Sequence, residues 1–134
     1  MVVTLIIAAI VAGLLWVRFA PDDPARWHVP IGETDDVDGA GWSARVVKAT
    51  PGALGKIHKA ALNLPRTELL AGSVGDKHLT YVTRSKWIGF PDYTTVEQDG
   101  EYIKLYARLR FGKSDLGVNG QRLDRLVRAA QTGG

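Results

Sequence analysis

An uninterrupted apolar run opens the chain. Residues 2–17, VVTLIIAAIVAGLLWV, contain no charged side chain, and only Thr4 and Gly13 interrupt the apolar pattern before Arg18. A helix needs about 20 such residues to cross the hydrocarbon core of a bilayer. The pattern therefore predicts a transmembrane anchor over residues 1–20, with membrane lipid as the partner of the apolar run. The side chains expected to hold this anchor in lipid are Leu5, Ile6, Ile7, Ile10, Leu14, Leu15 and Trp16.

A cleaved signal peptide is the main alternative to an anchor. Signal peptides begin with a positively charged region and carry small residues at the cleavage site. Here a cut after Ala20 would place Arg18 at the third position before the cut. We therefore expect an uncleaved, single-pass anchor. Because no charged side chain precedes the span, we expect the soluble domain on the periplasmic side of a bacterial inner membrane.

The composition changes sharply after the apolar run. Residues 21–42 contain three prolines and six acidic residues, without a helical or strand period. Such a composition predicts an extended tether, along which Trp27 either lies against the membrane or docks on the domain. A calcium site is the functional alternative, but the acidic cluster lacks the glycine turn and the terminal glutamate of an EF-hand loop. We therefore expect no metal site and no cofactor. The clustered acids are Glu33, Asp35, Asp36 and Asp38.

Residues 43–134 carry the pattern of one domain. A short strand is predicted at residues 43–50, followed by a helix that runs to about Leu62. We expect Thr50 to cap this helix with its hydroxyl, and Pro51 to occupy its first position.

A period of two then predicts two β-hairpins. RTELLAGSV and KHLTYVTRS flank Gly75-Asp76, and YTTVEQ and EYIKLYARLR flank Asp99-Gly100. These turn residues are typical of tight hairpins. Apolar and polar side chains alternate along the last strand, which predicts one buried and one water-facing side of the sheet. The apolar set is Ile103, Leu105, Ala107 and Leu109, and the polar set is Lys104, Tyr106, Arg108 and Arg110.

An amphipathic helix closes the chain and is expected to be capped by Asn119. The order strand, helix, four strands and helix indicates an α+β fold. We predict an N-terminal transmembrane helix and then one antiparallel β-sheet of about five strands, covered on one face by two helices.

The composition excludes several classes of function. A formal charge of +3, without a Lys/Arg-rich run or a recognition motif, does not predict a nucleic-acid partner. The absence of cysteine excludes disulfides and a thiol nucleophile. The histidines His28, His58 and His78 lack metal-ligand spacing. A grouping of Ser114, His78 and Asp92 can be assembled on paper, as in most chains of this length, so we do not predict an enzyme.

Polar chemistry concentrates at the corner between the last strand and the closing helix. Ser114, Asp115 and Asn119 are residue types that bond nearby backbone amides in turns and at helix starts. A demanding turn explains them without any ligand. Arg122, one turn into the helix, is placed to reach back to Asp115 or to Asp92.

Two stretches resemble a known family. RSKWIGFPD at residues 84–92 and RLRFGKSDLGVNGQR at residues 108–122 are similar to the domain-of-unknown-function 1499 family, which pairs Arg-Ser and Gly-Phe-x-Asp with a later G-x-S-D-x-G-V-N-x-x-R run. The chain departs from the usual pattern in having no cysteine in RWHVPIGE and in having Leu109 after Arg108. The family has no settled activity, so the resemblance implies this fold and membrane association but no reaction.

Basic side chains suggest a binding role for the same end of the domain. If their strands pair, Arg84, Lys86, Lys104, Arg108 and Arg110 would form a basic stripe able to bind phosphate, a lipid headgroup or an acidic partner. Solvated charges paired with their neighbours are the alternative interpretation. Arg108→Glu is expected to leave folding intact. The candidate binding residues are Arg84, Lys86, Asp92, Arg108, Arg110, Ser114, Asp115, Asn119 and Arg122.

These observations favour a membrane-anchored, non-catalytic binding protein that serves as a small accessory subunit or assembly factor of a larger membrane protein complex. The alternative is a periplasmic module that binds lipid or a small anion. A sizeable internal pocket would favour the module. A filled core with an exposed apolar patch would favour the subunit.

Overall fold

Residues 1–132 are described by a computed structural model and form four helices and six strands. The helices are α1 (Val2–Phe19), α2 (Pro24–Trp27), α3 (Ala53–Asn63) and α4 (Val118–Gln131). The strands are β1 (Val37–Asp38), β2 (Trp42–Lys48), β3 (Thr67–Ser73), β4 (His78–Arg84), β5 (Pro91–Asp99) and β6 (Tyr102–Leu109). The predicted α+β class with an N-terminal apolar helix is confirmed.

The strands form one antiparallel sheet in the order β1-β2-β6-β5-β4-β3. Both predicted hairpins are present, since β3 pairs with β4 and β5 pairs with β6. The sheet has six strands rather than about five, because the two-residue strand β1 pairs with β2. A strand that short has no detectable period in the sequence. The two central strands of the sheet are β6 and β5.

One face of the sheet packs against α3 and α4. Tyr81, Val96 and Leu105 alternate out of their strands onto this face and are fully buried. Ile57 from α3 and Leu123 from α4 complete the cluster, each with no exposed surface. The strand period of two and the helix period of 3.6 therefore meet in one apolar core, as the pattern predicts.

The opposite face is covered by residues 20–32, which we call the docked segment. Trp27 is 8% exposed and stacks on Tyr93 with ring centroids 3.9 Å apart. His28 Nδ1 lies 2.7 Å from Thr80 Oγ1, and Lys104 Nζ donates to the carbonyl of Gly32 at 2.8 Å. Of the two expected positions of Trp27, the structure has the docked one. The face expected to meet water is thus largely covered, because alternation assigns side chains to a face without showing what packs on it.

Both helices of the domain begin differently from the sequence prediction. Helix α3 begins at Ala53 after Gly52, whose φ is 77°, and Thr50 contributes only its carbonyl, which accepts from Ala53 N at 3.0 Å. Helix α4 begins at Val118 after a glycine with φ 82°. Asn119 lies in the first turn of α4 and is fully buried, so it is not the capping residue. In both cases a glycine with positive φ turns the chain into the helix. Other residues adopt this backbone conformation only rarely.

Helix α1 has no buried residue over its 18 residues. It is long and apolar enough to cross a membrane. Its C-terminal end contacts the domain, because the carbonyl of Arg18 accepts from Arg84 Nη1 at 3.1 Å. Helix α1 therefore meets the sheet directly, at the end where β4 finishes.

Candidate functional site

The corner between β6 and α4 is built around Asp115. Its Oδ1 accepts from the backbone N–H of Gly117 at 2.8 Å, and its Oδ2 accepts from Asn119 Nδ2 at 2.8 Å. The backbone N–H of Asp115 donates to the carbonyl of Ala40 at 3.0 Å. Ser114 Oγ accepts from the N–H of Leu116 at 3.3 Å. These contacts organise the turn and the start of α4, which is the structural role that the residue types predict.

Arg122 links this corner to the sheet. Its Nη1 donates to Asn119 Oδ1 at 2.5 Å and lies 3.6 Å from Asp92 Oδ2 on β5. Burial raises the pKa of Asp92, with Arg122 opposing the shift, and burial lowers the pKa of Arg122. Asp92, Arg122, Asn119 and Asp115 thus form one polar chain that fastens α4 to the sheet. Of the two expected partners of Arg122, the ion pair is with Asp92.

Arg84 and Arg110 lie on the other face of the sheet and converge on Asp22 of the docked segment. Arg84 Nη2 lies 2.6 Å from Asp22 Oδ2, and Arg110 Nη1 lies 3.9 Å from Asp22 Oδ1. The hydroxyl of Tyr93 also donates to Asp22, and burial raises the pKa of Tyr93. Arg110 Nη1 further donates to the carbonyl of Pro21 at 2.8 Å. We call this cluster the Asp22 junction; it joins the end of α1 to the sheet.

Arg108 is buried without a carboxylate partner among the residues that the structure describes. It is 8% exposed and donates to the carbonyl of Trp27 at 2.5 Å and to Thr95 Oγ1 at 2.8 Å. Burial lowers the pKa of Arg108 to about 10, which leaves it charged at neutral pH. Its guanidinium also lies 4.9 Å from the Tyr106 ring centroid, a favourable cation–π distance. Arg108 therefore holds the docked segment to β6.

The basic side chains do not form the continuous stripe expected from paired strands. Strand β5 lies between β4 and β6, so Arg84 is separated from Arg108 and Arg110 by one strand. Lys104 lies toward the other end of β6, and Lys86 lies in the exposed loop after β4. Arg84 and Arg110 come together through the chain's own Asp22.

An open cleft of about 500 Å³ lies where the two family-like stretches meet. We call it the corner cleft. Its walls come from the β4–β5 loop on one side and from the β6–α4 loop with the first turns of α4 on the other. The side chains that matter for its chemistry are Arg66, Ser85, Lys86, Asp92, Ser114 and Arg122. Ser85 Oγ accepts from the N–H groups of Gly89 and Phe90 at 3.1 and 2.9 Å, which shapes the first wall.

The histidines and carboxylates do not assemble into a catalytic group. His78 stacks on His28 with ring centroids 3.9 Å apart, on the face of the docked segment, whereas Asp92 faces α4. Ser114 lies in the β6–α4 loop. His58 Nδ1 lies 2.7 Å from the hydroxyl of Tyr81 inside the fold. Within residues 1–132, no three His, Asp or Glu side chains lie together as metal ligands would.

The sequence analysis assigned no role to Asp22 or Tyr93, and it left open whether Trp27 docks on the domain. Asp22 lies 62 positions before Arg84, and Tyr93 lies 71 positions after Asp22. A local pattern carries no information about such pairings. The available sequence signal was an acidic residue shortly after an apolar span, close to Arg18 and Arg26.

The family comparison covers both of the stretches that form the corner cleft. A family described as "protein of unknown function (DUF1499)" matches residues 21–129, which include the whole sheet and all of the docked segment except its first residue. A search of curated proteins finds no match. The chain therefore belongs to the DUF1499 family of proteins of unknown function.

Proposed function

We propose that this chain is a single-span membrane protein that acts by binding, as a small accessory subunit or assembly factor of a larger membrane protein complex. In this proposal α1 crosses a bacterial inner membrane and the domain lies in the periplasm. The observation that carries it is the direct polar contact between the end of an exposed apolar helix and the sheet of the domain.

The connection is short and polar. The Asp22 junction begins three residues after the end of α1 at Phe19, and it ties the chain to β4, β5 and β6 at once. The carbonyl of Arg18, in the last turn of α1, is bound by Arg84. A domain held in this way stays at one height above the bilayer, which suits contact with a neighbouring membrane protein.

The covering of both faces of the sheet within residues 1–132 argues against a carrier that encloses lipid. One face of the sheet is filled by the cluster of α3 and α4, and the other is covered by the docked segment. Apolar surface lies instead on the loops that bound the corner cleft, where Trp87 is 85% and Leu116 is 89% exposed. Exposed apolar side chains at a polar rim are typical of protein–protein contact sites.

The partner is tested by purifying the full chain from its host in a mild detergent after cross-linking. We expect one membrane protein to co-purify in constant ratio with the wild type and to be lost with Leu116→Asp. The matched control is Val74→Asp, because Val74 is also exposed, at 39%, but lies in the β3–β4 turn away from the corner cleft. Recovery of the wild type as a monomer, or equal loss in both variants, would contradict the proposal.

The topology has its own test because the chain contains no cysteine. A single Lys59→Cys substitution places one thiol on the exposed surface of α3. We expect a membrane-impermeant maleimide to label it when only the outer membrane is permeabilised. Labelling only after cell lysis would place the domain in the cytoplasm.

A further inference from the structure

A second groove lies beside the end of α1, on the outer side of the β4–β5 loop. Its volume is about 500 Å³, and it is separated from the corner cleft by Arg66, Arg84, Ser85 and Lys86, which line both. Arg18, from the last turn of α1, closes the groove on the membrane side. We call it the basic groove.

Three cations of the basic groove have no carboxylate partner within residues 1–132. Arg18, Arg66 and Lys86 form no ion pair there, in contrast to Arg84, which is paired with Asp22. Arg66 uses only Nε, which donates to the carbonyl of Arg84 at 2.9 Å and leaves the outer N–H groups of the guanidinium for a ligand. Glu68 also lines the groove and opposes these charges in part. Three cations against one carboxylate make the groove a site for an anion.

The basic groove lies at the level where an apolar helix ends. An added Cβ at Gly89 would lie 2.6 Å from Arg18 Nη1, so the Arg18 side chain lies against the β4–β5 loop. Trp87 in the same loop is largely exposed, with Lys86 Nζ 5.0 Å from its ring centroid. Tryptophan next to basic residues is enriched at the headgroup level of membranes. If α1 spans the bilayer, the groove opens among the lipid headgroups.

Part of the wall of the basic groove is apolar, although Thr67 and Glu68 also line it. Leu62, which is 46% exposed, lines it together with Leu64 and Val82. A free inorganic anion has no use for such a wall, whereas an amphiphile places its charged group among the cations and its first carbon atoms against the leucines. The apolar part of the lining therefore favours the phosphate group of a lipid over free inorganic phosphate.

We propose that the basic groove binds the phosphate group of an anionic phospholipid through Arg18, Arg66 and Lys86. Guanidinium groups match phosphate oxygens in a two-pronged geometry, and the lysine adds a point charge at the rim. The site goes beyond the role as an accessory subunit and does not depend on any protein partner. It shares with that role only the position of α1 in the membrane.

The test is a titration of the full chain in a neutral maltoside detergent, followed by phosphorus NMR. One arm adds a short-chain phosphatidylglycerol, and the other adds inorganic phosphate at the same concentrations. We expect saturable binding of phosphatidylglycerol and about tenfold weaker binding of inorganic phosphate, because only the lipid uses the apolar wall. Inorganic phosphate that binds as tightly as the lipid would overturn the lipid assignment.

Charge reversal identifies the site. Lys86→Glu and Arg66→Glu should each weaken phosphatidylglycerol binding by about tenfold, since each places a carboxylate beside the bound phosphate. Lys86 is exposed and its ammonium group lies over the Trp87 ring, so its variant should fold normally. Lys59→Glu is the matched control, because it makes the same change of charge on the exposed surface of α3.

The outcomes separate this site from general charge attraction. Weakening in the Lys86 and Arg66 variants, with less than about a twofold change in the Lys59 variant, supports the basic groove. Equal weakening in all three variants, or no saturable binding of either probe, overturns it. Because no partner protein is present in this titration, its result is independent of the co-purification experiment.

Discussion

On the helix-covered face of the sheet, α3 and α4 bury mainly apolar side chains in one cluster, and the Asp92–Arg122 ion pair is an exception to this pattern. On the opposite face, the docked segment is held by two ring stacks, Trp27 on Tyr93 and His28 on His78. Polar contacts of Arg108, Arg84 and Arg110 also hold it. The first face loses stability mainly through cavities, which depend on volume. The second loses stability through buried polar groups left without partners, which depend on charge and geometry.

The difference between the two faces shows which basic side chains are already occupied by contacts within the chain. The arginines that a sequence pattern offers as ligand-binding groups are largely occupied by the chain's own Asp22, Pro21 and Trp27. The basic groups that remain unpaired within residues 1–132 include Arg18, Arg66 and Lys86, all beside the end of α1. Measurements of unfolding free energy in variants of each face test this difference.

The largest effect is expected for Arg108→Glu. The new carboxylate would lie against the carbonyl of Trp27 and the hydroxyl of Thr95, so we expect a loss of about 4 kcal/mol in the free energy of unfolding. This corrects the expectation from the sequence that the substitution leaves folding intact, which assumed a water-facing side chain. Denaturation in detergent measures it. Arg108→Met, which keeps the stem but removes the donors, should lose about 2 kcal/mol; equal losses would argue against a charge-specific role.

Leu123→Ala tests the helix-covered face. Leu123 is fully buried between α4 and the sheet, and its truncation should lower the free energy of unfolding by about 3 kcal/mol through lost burial and a cavity. The loss should be the same at low and high salt, since no charge is involved. A loss that changes with salt would show that the two faces are less different than their contacts indicate.

Asp22→Asn tests the junction on the other face. It keeps the shape of the side chain but removes the charge that Arg84 and Arg110 share, so we expect a loss of about 1.5 kcal/mol that shrinks at high salt. Limited proteolysis should also cut the docked segment faster. Asp35→Asn is the control, because the Asp35 side chain is exposed and outside the junction. Unchanged proteolysis in the Asp22 variant would mean that Trp27 alone holds the segment.

Asp115→Ala tests the corner, where a turn rather than a face is stabilised. The substitution removes the acceptor of the N–H groups of Gly117 and Asn119, and we expect a loss of about 1 kcal/mol. Thermal melting measures it, and phosphatidylglycerol binding should be unchanged. Unchanged melting with lost binding of a partner would give Asp115 a direct role in recognition.

The smallest effect concerns pH. Burial and the stacked His78 lower the pKa of His28 from its ordinary value of 6.5, with Asp76 opposing the shift. A lowered folded-state pKa means that the unfolded chain binds the proton first. The contribution of His28 is therefore complete above about pH 6.5 and is lost progressively as the pH falls toward the lowered pKa. His28→Gln should flatten the dependence of the melting temperature on pH between about 5 and 7; an unchanged slope would assign it to another group.

Local patterns were sufficient for most elements of this fold, but not for α2 or the two-residue strand β1, which lie where an extended tether was predicted. The apolar run of α1, the hairpins at Gly75-Asp76 and Asp99-Gly100, and the alternation along β6 are each visible within a few residues. They could be predicted because helix and strand periods depend on which side chains share a face. The helix starts could not, because Gly52 and Gly117, and not Thr50 and Asn119, directly precede the two helices.

The sequence alone determined that this protein has an apolar N-terminal helix, an antiparallel sheet with helices on one face, and a polar corner before α4. Only the tertiary structure decided that β5 separates β4 from β6, that residues 20–32 cover the second face, and that Asp22 takes up Arg84 and Arg110. The physical reason is the distance along the chain over which each feature is set. Periodicity is set by neighbouring residues, whereas the partner of a buried charge is set by the order of strands that lie far apart in the chain.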